Sequence, residues 1–254
     1  MKVLVINLPR SHQRRQGMIE QLSRLELDWK LVEGVDGLSL TKCKLASSCD
    51  PISFAQKGHY LTPGAIGCAL SHQKALQLVL SEGAEMACIL EDDLVLPENF
   101  PDILREVETQ ITNSEVILLY WLSFEKQHFI RQSAVQLKTK HFLVESCNSH
   151  KLLSGVGYIL TRHSAERMIK ANQPIRVTAD SWGYFLSSGA VERIRCLVSS
   201  PIRLSLLPSD IAIRSEGFLM RWKPPLQSLF PCLGHWVKRR RENFYKQYSR
   251  FDWI

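Results

Sequence analysis

The sequence lacks any long hydrophobic run. No stretch approaches the roughly 20 consecutive apolar residues that a membrane-spanning helix requires. The opening segment MKVLVINLPRSHQRR also has too few apolar residues before Pro9 to form the core of a secretion signal. There is no internal repeat and no low-complexity segment, and 254 residues with 45% hydrophobic content can bury a substantial core. We therefore expect a globular protein that resides in the cytoplasm.

Paired cysteines are also absent. The seven cysteines are an odd number, and no two of them have the CxxC spacing of a zinc or thiol-exchange motif. They lie at positions 43, 49, 68, 88, 147, 196 and 232. We interpret them as reduced thiols that mostly fill space in the core, and we do not expect a zinc site.

Positive charge is concentrated near the C-terminus. The net charge is +7, and residues 217–254 contain eight lysines and arginines against two acids, Glu242 and Asp252. Aromatic residues are interleaved with these cations on both sides of the cluster Lys238–Arg241. We therefore divide the chain into a body, residues 1–216, and a basic extension, residues 217–254.

The composition of the basic extension suits an anionic membrane surface. Aromatic rings lie at headgroup depth there, and each cation adds about 1 kcal/mol of attraction. Two alternatives are open: the aromatics pack on the body while the cations are solvated, or the cluster binds nucleic acid through phosphates. The chain has no nucleic-acid recognition motif, so we expect no nucleic-acid partner.

Alternating strand and helix patterns in the first third predict an α/β fold. The β-branched run Val3–Asn7 is followed, after Ser11, by apolar residues at helical spacing, and Trp29–Val35 resembles a second strand. Residues 38–62 look irregular. Thr62 and Pro63 then suit the cap and first position of a helix that continues to Gly83. Later predictions are a strand at Met86–Leu90, a helix from Pro97, strands at Val116–Tyr120 and Val156–Leu160, and a helix at about Ser164–Ala171.

Three consecutive acids, Glu91, Asp92 and Asp93, follow the apolar strand in ACILEDDLVL. Strand alternation predicts that Glu91 and Asp93 point to one side and Asp92 to the other. Asn7 and Asp36 end the first two predicted strands, so these polar groups are expected at one edge of the sheet. Oxygen ligands suit Mg²⁺ or Mn²⁺ with a phosphorylated substrate. The alternative is a solvated turn without a ligand.

The helix that begins at Thr62 carries a second group of candidates. Gly64 and Gly67 weaken its first turns, which is reasonable if the backbone must closely approach another element or a ligand. A helix N-terminus near the acids would also favour phosphate. We include His72 among the ligand-binding candidates, although a single histidine is more often a partly buried structural residue.

Four motifs in order resemble glycosyltransferase family 25, the bacterial lipopolysaccharide or lipooligosaccharide galactosyltransferases. They are INLPRSHQRR, VEGVDG, LTPGAIGCALSHQKAL and ACILEDDLVLPENF, with looser similarity in SGVGYILTRHSAERMI and TADSWGYF. The resemblance implies a GT-A-like fold with a mixed central sheet. It also implies a nucleotide-sugar donor, UDP-galactose or another UDP-hexose, and a divalent cation, Mn²⁺ or Mg²⁺, at a DXD-like motif.

The resemblance also assigns donor-site residues. The triplet takes the DXD place: Asp93 with Glu91 is the candidate for the metal and the diphosphate, and Glu91 or Asp92 for the ribose. The other matching donor-site residues are Asn7, Leu8, Arg10, Arg14 and Asp36. The family's late histidine-proline-glutamine element has no clear match after residue 195, where SSPIRLSLLPSDI stands instead.

The expected reaction inverts the anomeric centre, which requires a base for the acceptor hydroxyl. Asp180 is the candidate, because Trp182 and Tyr184 beside it are suited to stacking on a sugar. An equally acceptable interpretation is that Asp180 caps a helix at Ser181–Leu186. Asp210 is the competing base.

The acceptor implied by the resemblance is a terminal sugar of lipooligosaccharide, reached from the cytoplasmic face of the inner membrane. The sequence leaves open a glucosyl- or N-acetylglucosaminyltransferase of the same family. It also leaves open a metal-dependent nucleotide-sugar hydrolase, and a module that binds the sugar nucleotide or anionic lipid without turnover.

Overall fold

The computed structural model describes residues 1–57, 61–205 and 251–253. The strands are β1 (Lys2–Asn7), β2 (Trp29–Glu33), β3 (Met86–Glu91), β4 (Leu94–Val95), β5 (Glu115–Leu118), β6 (Gln127–Phe129), β7 (Val135–Gln136), β8 (Phe142–Glu145), β9 (Gly157–Thr161), β10 (Arg193–Val198), β11 (Arg203–Leu204) and β12 (Phe251–Trp253). The α-helices are α1 (His12–Arg24), α2 (Lys42–Ser48), α3 (Pro51–Lys57), α4 (Pro63–Ser81), α5 (Phe100–Glu108), α6 (Arg162–Asn172) and α7 (Trp182–Ser187). Short 3₁₀ helices span Gly37–Ser39, Arg131–Ser133 and Ser149–Lys151.

A mixed eight-stranded sheet forms the centre, with strand order β2-β1-β3-β9-β5-β10-β8-β7. Strand β1 pairs in parallel with both β2 and β3, so the carboxyl ends of these three strands lie at one edge. Strand β9 is antiparallel to both β3 and β5. The α/β class, the mixed central sheet and the strand-helix-strand start are therefore confirmed.

Side chains that alternate along the strands build a hydrophobic core on each face of the sheet. On one face, Leu4 and Ile6 belong to a cluster completed by α4, α6 and α7. On the other, Val3 and Val5 pack with residues of α1 and α5. Because both faces are covered, the inner strands β1 and β3 are apolar between their ends and become polar where they end.

The prediction of irregular structure across residues 38–62 is wrong for much of that segment, because α2 and α3 lie there. Helix α2 has only seven residues and buries only Leu45, so it leaves almost no periodic signal. The side chain of Thr41 caps it by accepting from Lys44 N at 3.2 Å. Leu45 packs in a small cluster with Ile66 and Ala69 of α4, so tertiary contact as well as the cap supports this short helix.

Helix α4 begins as predicted, with Thr62 Oγ1 accepting from Ala65 N at 3.3 Å and proline in the first turn. Its first turns lie directly against the turn that follows β2. A Cβ atom added to Gly67 would fall 2.4 Å from Gly37 N and 2.6 Å from Val35 O. Ser71 adds a hydrogen bond, because Val35 N donates to its Oγ at 2.7 Å. Gly67 is therefore required for the close approach that the sequence indicated.

The basic extension lies outside the described residues except for positions 251–253. There, β12 pairs in parallel with β6, and the Trp253 ring lies 6.4 Å from that of Phe129 and 5.6 Å from that of Phe142. This end of the chain packs on the body, whereas the membrane interpretation of the extension stays a prediction. Across the described ranges, no helix combines the length and apolarity needed to cross a membrane.

Gly67→Ala is expected to lower the free energy of unfolding by roughly 1–3 kcal/mol, because the new methyl group meets backbone atoms that cannot move aside cheaply. Gly17→Ala in α1 is the matched control, since a Cβ there meets nothing within 4 Å. It should raise stability by about 0.4–1 kcal/mol. Thermal melting of both variants tests this, and equal melting temperatures would contradict the packing argument.

Candidate functional site

The three acids at the end of β3 lie at the edge where β1, β2 and β3 end. Strand β3 stops at Glu91, and Asp92 and Asp93 lie in the bend before β4. Because the chain leaves the strand there, the predicted alternation does not extend to Asp93. Asp92 and Asp93 both face Arg14, whereas Glu91 faces His72. That Glu91 and Asp93 point to one side stays a prediction, and all three acids line one cavity.

Asp92 is held by the last residue of β1 and by the first turn of α1. Asn7 Nδ2 donates to its Oδ2 at 2.6 Å, and Arg14 Nη1 donates to its Oδ1 at 2.9 Å. Burial raises the pKa of Asp92, and these two partners oppose that effect. The same Asn7 amide donates to Ser11 O at 3.2 Å. Asn7 is thus placed behind Asp92, where it orients the carboxylate.

Asp93 is the least compensated acid of the three. Burial, followed by repulsion from Glu91, raises the pKa of Asp93 to about 7, although Arg14 opposes the shift. Its Oδ2 lies 3.7 Å from Arg14 Nη2. Its Oδ1 is buried and has no hydrogen-bond partner within the described part of the chain. A buried carboxylate oxygen without a partner is costly, which marks a position where a cation would be stabilising.

A cavity of about 330 Å³ opens at these acids. The β1–α1 segment contributes Leu8, Arg10 and Arg14 to its wall. Asp36 lies on the wall, caps the 3₁₀ helix by accepting from Leu38 N at 3.1 Å, and forms an ion pair with Arg10. The first turn of α4 completes the wall, so the cavity meets a helix N-terminus as well as two arginines.

His72 lies on the cavity wall but is nearly buried, with 4% of its surface exposed. Its Nδ1 lies 3.0 Å from the hydroxyl of Tyr158, and its Nε2 lies 3.4 Å from Glu91 Oε1. Cys68, one helical turn earlier in α4, lies on the same wall. The sequence interpretation missed Cys68 and Tyr158, although the spacing of Cys68 and His72 was a signal for the first.

Asp180 lies beside the cavity, close to His72 and Gly155. A Cβ built on Gly155 would be 3.7 Å from Asp180 Cβ and 3.5 Å from His72 Cε1, so the two side chains flank this glycine. Asp180 Oδ2 accepts from Ser154 N at 3.1 Å, and its Oδ1 accepts from Thr178 Oγ1 at 2.8 Å. Its carboxylate therefore fixes the segment that leads into β9.

The expectations for the residues around Asp180 have mixed outcomes. The N-cap position of α7 belongs to Ser181, so the Asp180 side chain is not its cap. Trp182 is fully buried and donates from Nε1 to Ser154 O at 3.0 Å, which excludes it as a sugar-stacking surface. The hydroxyl of Tyr184 donates to Ala171 O at 2.8 Å. Asp210 lies outside the described residues.

A divalent cation fits the oxygen atoms at the acidic end of the cavity. Asp93 offers an unpartnered buried oxygen, and Glu91 supplies a second carboxylate on the same cavity wall. Few carboxylates with space for phosphate oxygens suit Mg²⁺ or Mn²⁺. The arginines and the α4 N-terminus are suited to phosphate groups. Together these features can bind a diphosphate through its charge.

Comparison with known proteins gives a family match over most of the chain. The model of glycosyltransferase family 25 (LPS biosynthesis protein) matches residues 1–182. Procollagen galactosyltransferase 1 of Danio rerio is 25% identical over 69% of this chain and 29% of its own length. Procollagen galactosyltransferase 2 of Homo sapiens is 26% identical over 67% of this chain and 28% of its own.

Other similarities are more limited. The inactive glycosyltransferase 25 family member 3 of Homo sapiens is 30% identical over 46% of this chain and 21% of its own length. Among solved structures, A197 from STIV is 12% identical, covers 80% of this chain and 84% of that chain, and has a TM-score of 0.40. This chain spans less than a third of the length of these curated relatives. The family model covers well over half of the sequence, including the acids Glu91–Asp93 and Asp180. The chain therefore belongs to glycosyltransferase family 25.

Proposed function

We propose that this chain transfers a hexose, galactose from UDP-galactose, to a terminal sugar of lipooligosaccharide with inversion of the anomeric centre. The observation that carries the proposal is the cavity itself, in which Glu91–Asp93 face Arg10, Arg14 and the N-terminus of α4. Family membership supports sugar transfer, and the family's description names lipopolysaccharide biosynthesis. The galactosyltransferase names of two relatives support the choice of sugar.

In this proposal, the diphosphate of the donor lies between the arginines and the first turn of α4. Both arginines already contact carboxylates, Arg10 with Asp36 and Arg14 with Asp92, so their positions are fixed before the donor arrives. Leu8 and Asp36 line the same space and are suited to the nucleoside. Asn7 keeps Asp92 oriented, and His72 supports Glu91 from the opposite side.

Glu91 and Asp93 are the residues that would hold a divalent cation, Mn²⁺ or Mg²⁺. When bound, such a cation supplies positive charge that stabilises the departing UDP. Asp180 takes the proton from the attacking hydroxyl of the acceptor, because its carboxylate is fixed by Ser154 and Thr178 beside the cavity. Asp210 stays the competing base.

The basic extension is proposed to hold the enzyme at an anionic membrane surface, where a lipid-linked acceptor is presented. Its cluster Lys238–Arg241 and its aromatic residues support this proposal. The enzyme would then act at the cytoplasmic face of the inner membrane.

The proposal is tested by measuring UDP release from UDP-galactose, UDP-glucose and UDP-N-acetylglucosamine, with Mn²⁺, Mg²⁺ or EDTA. Each donor is tested with truncated lipooligosaccharide, with procollagen and without acceptor. We expect metal-dependent release from UDP-galactose that lipooligosaccharide stimulates. UDP release that no acceptor stimulates would indicate a hydrolase. Stimulation by procollagen alone would indicate that the acceptor is a protein. Donor binding without turnover would indicate a binding module.

Asp93→Ala is expected to reduce metal-dependent turnover by roughly 100-fold or more, because it removes the unpartnered oxygen that faces the cavity. Asp102→Ala is the matched control, since Asp102 is an exposed carboxylate on α5 paired with Arg105. It should retain activity. Equal activity of the two variants would remove Asp93 from the metal and diphosphate site.

Asp180→Asn keeps the shape of the side chain but cannot accept the acceptor's proton. We expect kcat to fall by roughly 100- to 10,000-fold while the KM for the donor and the melting temperature change little. Asp210→Asn is measured in parallel. If Asp180→Asn retains kcat and Asp210→Asn loses it, the base is Asp210; a lower melting temperature with normal kcat would leave Asp180 a structural role.

A further inference from the structure

Three different metal-binding side chains converge at the inner end of the cavity. Cys68, His72 and Glu91 each offer one ligand atom, and these atoms all lie within 4.8 Å of one another. Cys68 and His72 are one turn apart on α4, so they share a face of that helix. Glu91 ends β3, which packs beneath the same helix. The fold therefore assembles this set from two elements, and the lack of paired cysteines in the sequence does not exclude it.

The Cys68 thiol is surrounded by negative charge. Burial, followed by the charges of Glu91, Asp180 and Asp93, raises the pKa of Cys68 well above its usual range. The thiol borders the same cavity as Glu91 and Asp93. A divalent cation bound among these side chains would compensate the charges of the carboxylates.

His72 is already oriented as a metal ligand would be. Its Nδ1 lies 3.0 Å from the buried hydroxyl of Tyr158, which can donate or accept. With the proton on Nε2, the ring donates toward Glu91 Oε1 at 3.4 Å. With the proton on Nδ1, the ring donates to Tyr158 and presents an Nε2 lone pair toward Glu91. A second hydrogen-bond partner that fixes the orientation of the ring is typical of histidine ligands.

We propose that Cys68, His72 and Glu91 form a site for a thiophilic divalent cation of the Zn²⁺ type. Sulfur, imidazole and carboxylate together suit Zn²⁺ and Co²⁺, whereas Mg²⁺ and Mn²⁺ prefer oxygen ligands. On binding, the S–H bond of Cys68 breaks, its proton passes to solvent, and the sulfur binds the metal. Three protein ligands leave a fourth position open toward the cavity.

Glu91 belongs both to this set and to the oxygen ligands proposed for Mn²⁺ or Mg²⁺. Either Zn²⁺ and the activating cation compete for Glu91, or Zn²⁺ itself acts as the activating cation. This role in the reaction rests on the proposed function, but binding of the metal does not, because it requires no donor or acceptor.

The test uses the full chain, freed of metal with EDTA and titrated with Co²⁺. A bond between thiolate and Co²⁺ gives a charge-transfer band in the near ultraviolet. We expect this band in the wild type and in Cys147→Ser, whose cysteine is exposed, and its loss in Cys68→Ser. No band in the wild type, or a band that persists in Cys68→Ser, would overturn the proposal.

Alkylation of the unaltered chain by N-ethylmaleimide, mapped by mass spectrometry, covers the case in which Cys68→Ser fails to fold. Saturating Zn²⁺ should slow the labelling of Cys68 by about tenfold or more, with no such effect of Mg²⁺. Exposed Cys147 in the same sample is the internal control. Equal labelling of Cys68 with Zn²⁺ and with Mg²⁺ would overturn the proposal. If the band is present but no UDP-sugar is turned over, the proposed function fails and the metal site stands; turnover without the band gives the opposite result.

Discussion

The structure of the site depends on how three adjacent carboxylates are kept at a partly buried strand end. Asp92 has two strong partners, Asn7 at the end of β1 and Arg14 in the first turn of α1. Asp93 shares Arg14 at a longer distance and retains one unpartnered oxygen. The charge of Asp92 is therefore compensated by its partners, whereas that of Asp93 is compensated only in part. The remaining negative charge faces the cavity. A site of this kind is prepared for a cation.

The opposite wall depends on a close approach between backbones rather than on charge. Gly37 and Gly67 allow the first turns of α4 to lie against the turn after β2, and Ser71 ties the helix to Val35. This contact places the positive end of the helix across the cavity from the acids. It also fixes the direction of the helix face that carries Cys68 and His72. One packing contact therefore positions both the helix N-terminus proposed to bind phosphate and the side chains Cys68 and His72 proposed to bind a metal.

Much of this site could be predicted from the sequence, because its signals are local. The strand that ends in Glu91–Asp93, the Thr62 cap and the need for Gly67 all follow from neighbouring residues. The failures involve features that depend on distant contacts. Alternation could not show that the chain bends after Glu91, and the aromatic character of Trp182 could not show that its ring is buried. Cysteine number and spacing alone cannot show that Cys68 lies near Glu91 and Asp180, which are distant in sequence.

The pairing of β9 with β3 explains how Asp180 comes to lie near the acids Glu91–Asp93. Leu90 pairs with Gly157, and Glu91 N donates to Val156 O at 2.8 Å, so the segment before β9 runs alongside the acidic strand end. Asp180 holds that segment through Ser154. The antiparallel strand thus brings a late carboxylate to a site otherwise built by the first 93 residues. The proposed donor site lies on parallel strands and the proposed base is brought to it by an antiparallel neighbour, so the two can change separately on one fold.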